Sequence, residues 1–250
     1  MLLQSLLLFF AAFLSSVGVL FIRRPSADFL QRLLVFSGSY LFSITVLHLL
    51  PELFTLHDET KYVGLYILLG FFLQLFLELF SKGVEHGHTD TVQEEAHTHS
   101  ISPVSLMIAL CIHAFLDGAI LSSPATIHLH HHHHGASGLL LGILLHKIPV
   151  AITLSSILNN LLRRRRTVIL CVAIFALASP LGLIVSSYYT QQQWLSGQGS
   201  IALQGIVSGN FLHIATTIFF ESNPSHQPNL HKFTTSIMGA CLAIMCEWVL

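Results

Sequence analysis

Polar and apolar residues fall in long blocks along this chain. Eight apolar runs, at roughly 2–22, 33–54, 62–81, 103–122, 138–158, 167–188, 201–220 and 234–250, are separated by polar connections. About 20 apolar residues in a helix cover the hydrocarbon core of a bilayer. Because a helix satisfies its own backbone where no water can, these runs predict eight transmembrane helices, in an all-α membrane protein with one transmembrane unit over 1–250. A cleavable leader carries positive charge ahead of its apolar core. Here Arg23 and Arg24 follow the first run, which is therefore expected to be a retained helix.

Composition agrees with the pattern: mean hydropathy is +0.71 and only 9% of residues are charged, against about 25% in soluble domains. With 11 basic and 12 acidic residues there is no basic face for nucleic acid, so the expected partners are the lipid bilayer and small ligands. Cys111, Cys171, Cys241 and Cys246 lack paired spacing and read as small buried hydrophobes.

Basic residues set the expected orientation. Arg23, Arg24, Arg32, Lys82, Arg163 to Arg166 and Lys232 border or fill the odd connections, and only Lys61 lies on the other side. That places the odd connections in the cytoplasm and both termini outside, in a plasma or inner membrane. Lys147 belongs to neither side because it is inside a run.

The 17 histidines change the picture. The third connection, 83–101, is a polar cytoplasmic loop with His86, His88, His97 and His99. The fourth, 123–137, is an external loop with His128, His130, His131, His132, His133 and His134. Imidazole binds zinc, copper, iron and nickel, so both loops are candidates for collecting metal.

Two runs also hold polar groups in their interiors. His113 and Asp117 are four residues apart, so they share one helix face one turn apart, whereas Cys111 lies about 200° round from His113. His146 lies near the middle of the next, antiparallel run, where it can meet them at the same depth. Pro149 leaves the carbonyl of Leu145 without its helical partner and loosens that helix beside His146. Ionisable groups in hydrocarbon are expensive and mark functional sites by default. Two imidazoles and a carboxylate suit zinc, and nearly as well ferrous iron or manganese, with cadmium as an impostor. Buried polar groups can also simply bond helices together, but three ligand types at matched depth point to metal. Lys147 is expected either to pair with Asp117 or to sit in a neighbouring polar pocket as a fixed cation, and the second is preferred. His48 and Glu52, one turn apart, either line a pathway or face solvent at a helix end; His213 either faces the pathway or bonds helices.

At these residues the chain resembles the ZIP (Zrt/Irt-like) family of metal transporters. The family's fourth helix carries His-Asn-x-x-Asp-Gly and its fifth His-Glu-x-Pro-His-Glu; here the segments read His113-Ala-Phe-Leu-Asp117-Gly118 and His146-Lys-Ile-Pro149-Val-Ala151. His48-Leu-Leu-Pro51-Glu52 and Gly209-Asn-Phe-Leu-His213-Ile-Ala resemble segments of the second and seventh helices, the latter Gly-Thr-Phe-Leu-Tyr-x-Ala in the family. The branch with His-Lys-x-Pro in its fifth helix is the nearest in pattern.

The resemblance implies an eight-helix bundle with inverted repeats that moves a divalent metal, zinc foremost, into the cytoplasm; a homodimer is compatible with it. The family pattern implies two adjoining metal sites. The first keeps His113, Asp117 and His146 here, while the second has become Ala114, Lys147 and Ala151, and Val150 replaces a further ligand. A single site is therefore expected, with Lys147 where the second cation would be. The rival readings are a membrane-embedded zinc hydrolase, whose general-base glutamate would be expected where Lys147 stands, and a metal sensor that does not transport.

Overall fold

A computed structural model describes residues 1–22, 25–55, 60–81, 102–122, 134–162, 164–195, 197–221 and 230–248. Among these residues there are eight long helical segments and no strand. They are α1 (Leu2–Phe21), α2 (Ala27–Ile44, continued through a π-helical turn Thr45–Leu49 into Leu50–Thr55), α3 (Thr60–Ser81), α4 (Pro103–Ala119, ending in a 3₁₀ turn Ile120–Ser122), α5 (His134–Leu161), α6 (Arg165–Gln191), α7 (Gln198–Glu221) and α8 (Leu230–Trp248). Seven are long and apolar enough to cross a membrane; α8, with His231 and Lys232 at one end and Glu247 at the other, is not among them.

Each helix extends beyond or close to its apolar run. α2 starts at Ala27, six residues before its run, because Ser26 caps it by accepting the Phe29 N–H at 3.3 Å while Asp28 and Arg32 stay exposed. The π-helical turn precedes Pro51, whose missing N–H and bulky ring disfavour regular α-bonding there; widening the turn accommodates both and displaces His48 from α-helical register.

The packing is inside-out relative to a water-soluble protein. α1 and α3 expose Leu2, Leu3, Leu14, Phe72, Phe76 and Leu79, whereas Thr45, Gln74, His113, Asp117, His146, Lys147, Gln204, Ser208 and Asn210 are buried. An apolar exterior of this extent is suited to lipid.

Tightest contact comes from glycine. A Cβ on Gly118 of α4 would collide with the Ser179 carbonyl of α6, and one on Gly182 of α6 with the Phe115 carbonyl of α4. The same reciprocity holds between α3 and α7, where Gly70 meets the Ile206 carbonyl and Gly209 that of Ile67. Small residues let backbones approach where lipid supplies no hydrophobic push. The most extensive pairings, α7 with α3 and with the whole length of α2, α6 with α4, α8 with α2, and α1 with α5 and α6, sort the helices into two groups. One holds α1, α4, α5 and α6; the other holds α2, α3, α7 and α8. They meet chiefly where α2 and α8 pack on α5 and α3 on α4, with α7 touching α4.

Candidate metal centre

On α4 the one-turn spacing of His113 and Asp117 puts His113 Nε2 3.6 Å from Asp117 Oδ2, with both side chains buried. Two ligand atoms on one tetrahedral zinc, each about 2.0–2.1 Å from it, are about 3.3 Å apart, so this pair already has nearly the spacing of co-ligands. His146 on α5 faces them edge-on, its ring centroid 6.1 Å from that of His113 at an interplanar angle of 88°. Two imidazoles sharing a tetrahedral zinc have centroids about 5 Å apart by the same geometry. His146 thus stands wider of His113 than a co-ligand would, and among the described residues no three His, Cys, Asp or Glu side chains are already drawn round one point. Asp117 Oδ1 is buried without a hydrogen-bond partner. Such an atom carries its full desolvation cost, which a cation beside it would offset.

Lys147 takes the neighbouring pocket. Its Nζ donates to Ser179 Oγ on α6 and lies 5.0 Å from the centroid of the Phe175 ring. Ser179 Oγ in turn donates to the Ala114 carbonyl on α4, so the ammonium is tied to the backbone at that position. Val150 and Ala151 pack with Leu110, Ala114 and Phe175 in an apolar cluster and offer no ligand atom from their side chains.

The remaining candidates divide between two other places. His48 and Glu52 are buried, so they are not a solvent-facing helix end. His48 Nδ1 is 3.2 Å from Glu247 Oε1 of α8 and its Nε2 3.8 Å from Glu52 Oε2, which accepts from Gln204 Nε2 of α7 at 3.3 Å. His213 bonds α7 to α3: its Nε2 is 2.6 Å from Glu78 Oε2, and its ring meets Phe71 edge-on at 4.8 Å. His86, His88, His97, His99, His128 and His130 to His133 lie outside the described residues, and His134 is the first residue of α5. The four cysteines are free.

Four partners escape a reading of the sequence. Glu78 and Glu247 are visible only as lone acids in apolar runs, and Gln204 as an uncharged amide. Asn210 is the most consequential: buried on α7, it puts Nδ2 3.2 Å from His113 Nδ1. Its signal was its place in Gly209-Asn-Phe-Leu, where the resembled segment has threonine.

A family model described as ZIP zinc transporter matches residues 82–246. The human zinc transporter ZIP2 is 29% identical over 221 residues, covering 77% of this chain and 68% of that protein. Protein zntD of Dictyostelium discoideum is 27% identical over 179 residues, 67% of this chain but only 25% of its own length. Zinc transporter ZIP9-B of Xenopus laevis is 26% identical over 167 residues, 64% of this chain and 53% of that protein. The chain therefore spans a quarter to about two thirds of these relatives, and the family match covers the stretch that carries His113, Asp117, His146 and Asn210. It belongs to the ZIP zinc transporter family.

Proposed function

We propose that this chain carries a divalent transition metal, zinc in the first place, across the membrane into the cytoplasm through one site formed by His113, Asp117 and His146. The observation that carries the reading is the buried His113–Asp117 pair at 3.6 Å, with one carboxylate oxygen unpartnered, inside a bundle of membrane-spanning length. Zinc completes that pair when His146 moves in, and the loosening of α5 at Pro149 permits such a shift. Ferrous iron, manganese and cadmium fit the same donor set less closely. In this reading α8 also crosses the bilayer, the eight helices form inverted repeats, both termini face outside, and Lys147 holds the place of a second cation. The histidine loops raise the local metal concentration, and the two helix groups rock or slide to present the site inward.

Relatives named as zinc transporters, human ZIP2 and Xenopus laevis ZIP9-B, support the cargo. A hydrolase is disfavoured because the residue beside His146 is a lysine fastened to Ser179, which leaves no general base there.

Metal and proton compete for the same imidazole lone pair, which titrates in water near pH 6.5. Zinc uptake by proteoliposomes is expected to be highest above about pH 7 and to fall as pH drops through the imidazole range. Flat uptake from pH 5 to 8 contradicts histidine ligation.

A further inference from the structure

Most hydrogen bonds described between helices stay within one of the two groups. Ser16 Oγ to the Ala151 carbonyl joins α1 to α5, Lys147 to Ser179 joins α5 to α6, Ser39 Oγ to the Ser236 carbonyl joins α2 to α8, and His213 to Glu78 joins α7 to α3. The bond between Asn210 of α7 and His113 of α4 crosses the boundary, and it does so on a proposed metal ligand.

Its polarity is informative. With the amide so oriented, Asn210 Nδ2 donates and His113 Nδ1 accepts, an arrangement that assigns the proton of a neutral ring to Nε2. Nε2 is the nitrogen 3.6 Å from Asp117. The two ring nitrogens point in different directions, so Asn210 lies at the other edge of the ring from Asp117 and is no co-ligand of a metal held between His113 Nε2 and Asp117. It acts through the ring.

A metal at Nε2 needs that lone pair, which moves the ring proton to Nδ1. Nδ1–H then faces the Nδ2–H₂ group of Asn210, donor against donor. The other pole of the same amide, Asn210 Oδ1, is buried without a hydrogen-bond partner and is an acceptor. Turning the amide over satisfies both groups.

We infer that Asn210 is the positioning residue for His113, and that loading the site turns its amide over, so that an arriving ion remakes a hydrogen bond between the two helix groups. In the empty site the amide holds the ring in the tautomer that does not ligate through Nε2. In the loaded site it accepts from Nδ1–H and orients Nε2 on the ion. The inference rests on the proposed metal site.

The test uses the purified full-length chain in lipid nanodiscs, with zinc affinity measured by competition against a fluorescent chelator. The component lost in His113→Ala defines the intramembrane site against binding by the histidine loops. Asn210→Leu removes both poles of the amide and is expected to weaken that component about 10- to 100-fold. Asn210→Asp keeps the acceptor and is expected to bind within a few-fold of wild type, or more tightly. A role in helix packing alone would not favour a buried carboxylate over leucine. In ¹⁵N-histidine spectra, the resonances lost in His113→Ala are expected to pass from an Nε2–H tautomer without zinc to an Nδ1–H tautomer with it. Unchanged affinity in Asn210→Leu, equal weakening in the leucine and aspartate variants, or an Nδ1–H tautomer already present without zinc overturns the inference. The tautomer measurement is on wild type and does not depend on the variants folding. Absence of zinc binding in wild type, or of any component lost in His113→Ala, overturns the proposed function and the positioning role with it.

Discussion

Chains with alanine at position 113 or asparagine at position 117 are expected to bind zinc at the intramembrane site at least about 100-fold more weakly than wild type, about 2.8 kcal/mol at tenfold per 1.4 kcal/mol. His113 supplies the nitrogen and Asp117 the charge of the buried α4 pair, whose 3.6 Å separation is close to that of co-ligands. Asp117→Asn is the sharper of the two changes. It keeps the shape of the side chain and removes a buried charge with one unpartnered oxygen, so thermal stability is expected to hold while affinity collapses. Chelator competition and a melting curve on the same nanodisc sample check both halves. If melting and affinity fall together, Asp117 is a structural residue and the site lies elsewhere.

Lys147→Met is expected to act in the opposite direction on affinity. The ammonium sits on Ser179 beside Ala114, one residue along the helix from the proposed ligand His113, and would repel an incoming divalent ion. Methionine fills similar space over Phe175 and leaves the Ser179 hydroxyl bonded to the Ala114 carbonyl. Zinc is expected to bind about tenfold more tightly and, because release is slowed, to cross more slowly. Affinity and flux measured on one preparation distinguish this from structural damage, in which both fall.

These expectations come from features of very different legibility. The spans could be read because lipid demands about 20 apolar residues per crossing, and the His113–Asp117 pair because a one-turn spacing of polar groups survives inside an apolar helix. An apolar window stops at Arg32 and so sets the start of α2 late, whereas the capping Ser26 marks the true beginning. The π-helical turn at Thr45–Leu49 follows from Pro51 only once the surrounding helix is known to continue. Partners across helices were hidden for a different reason. Whether Asn210 reaches His113, or Glu78 reaches His213, depends on the rotation and depth of α7, and these are set by the close glycine contacts with α3. Nothing local to either residue encodes that register. The three proposed ligands were legible singly, but their separation was not: His146 lies wide of His113, a distance fixed by how α4 and α5 sit against α6 and α2.

In the proposed reading, folded protein moves metal through His113 and its neighbours. Uptake of radiolabelled zinc into proteoliposomes of the purified wild-type chain tests this, beside His113→Ala protein reconstituted at equal density and with an equal melting point. Saturable uptake by wild type, with His113→Ala reduced to the level of protein-free liposomes, is the predicted result. No flux from folded wild-type protein, or equal flux from the two, would contradict it.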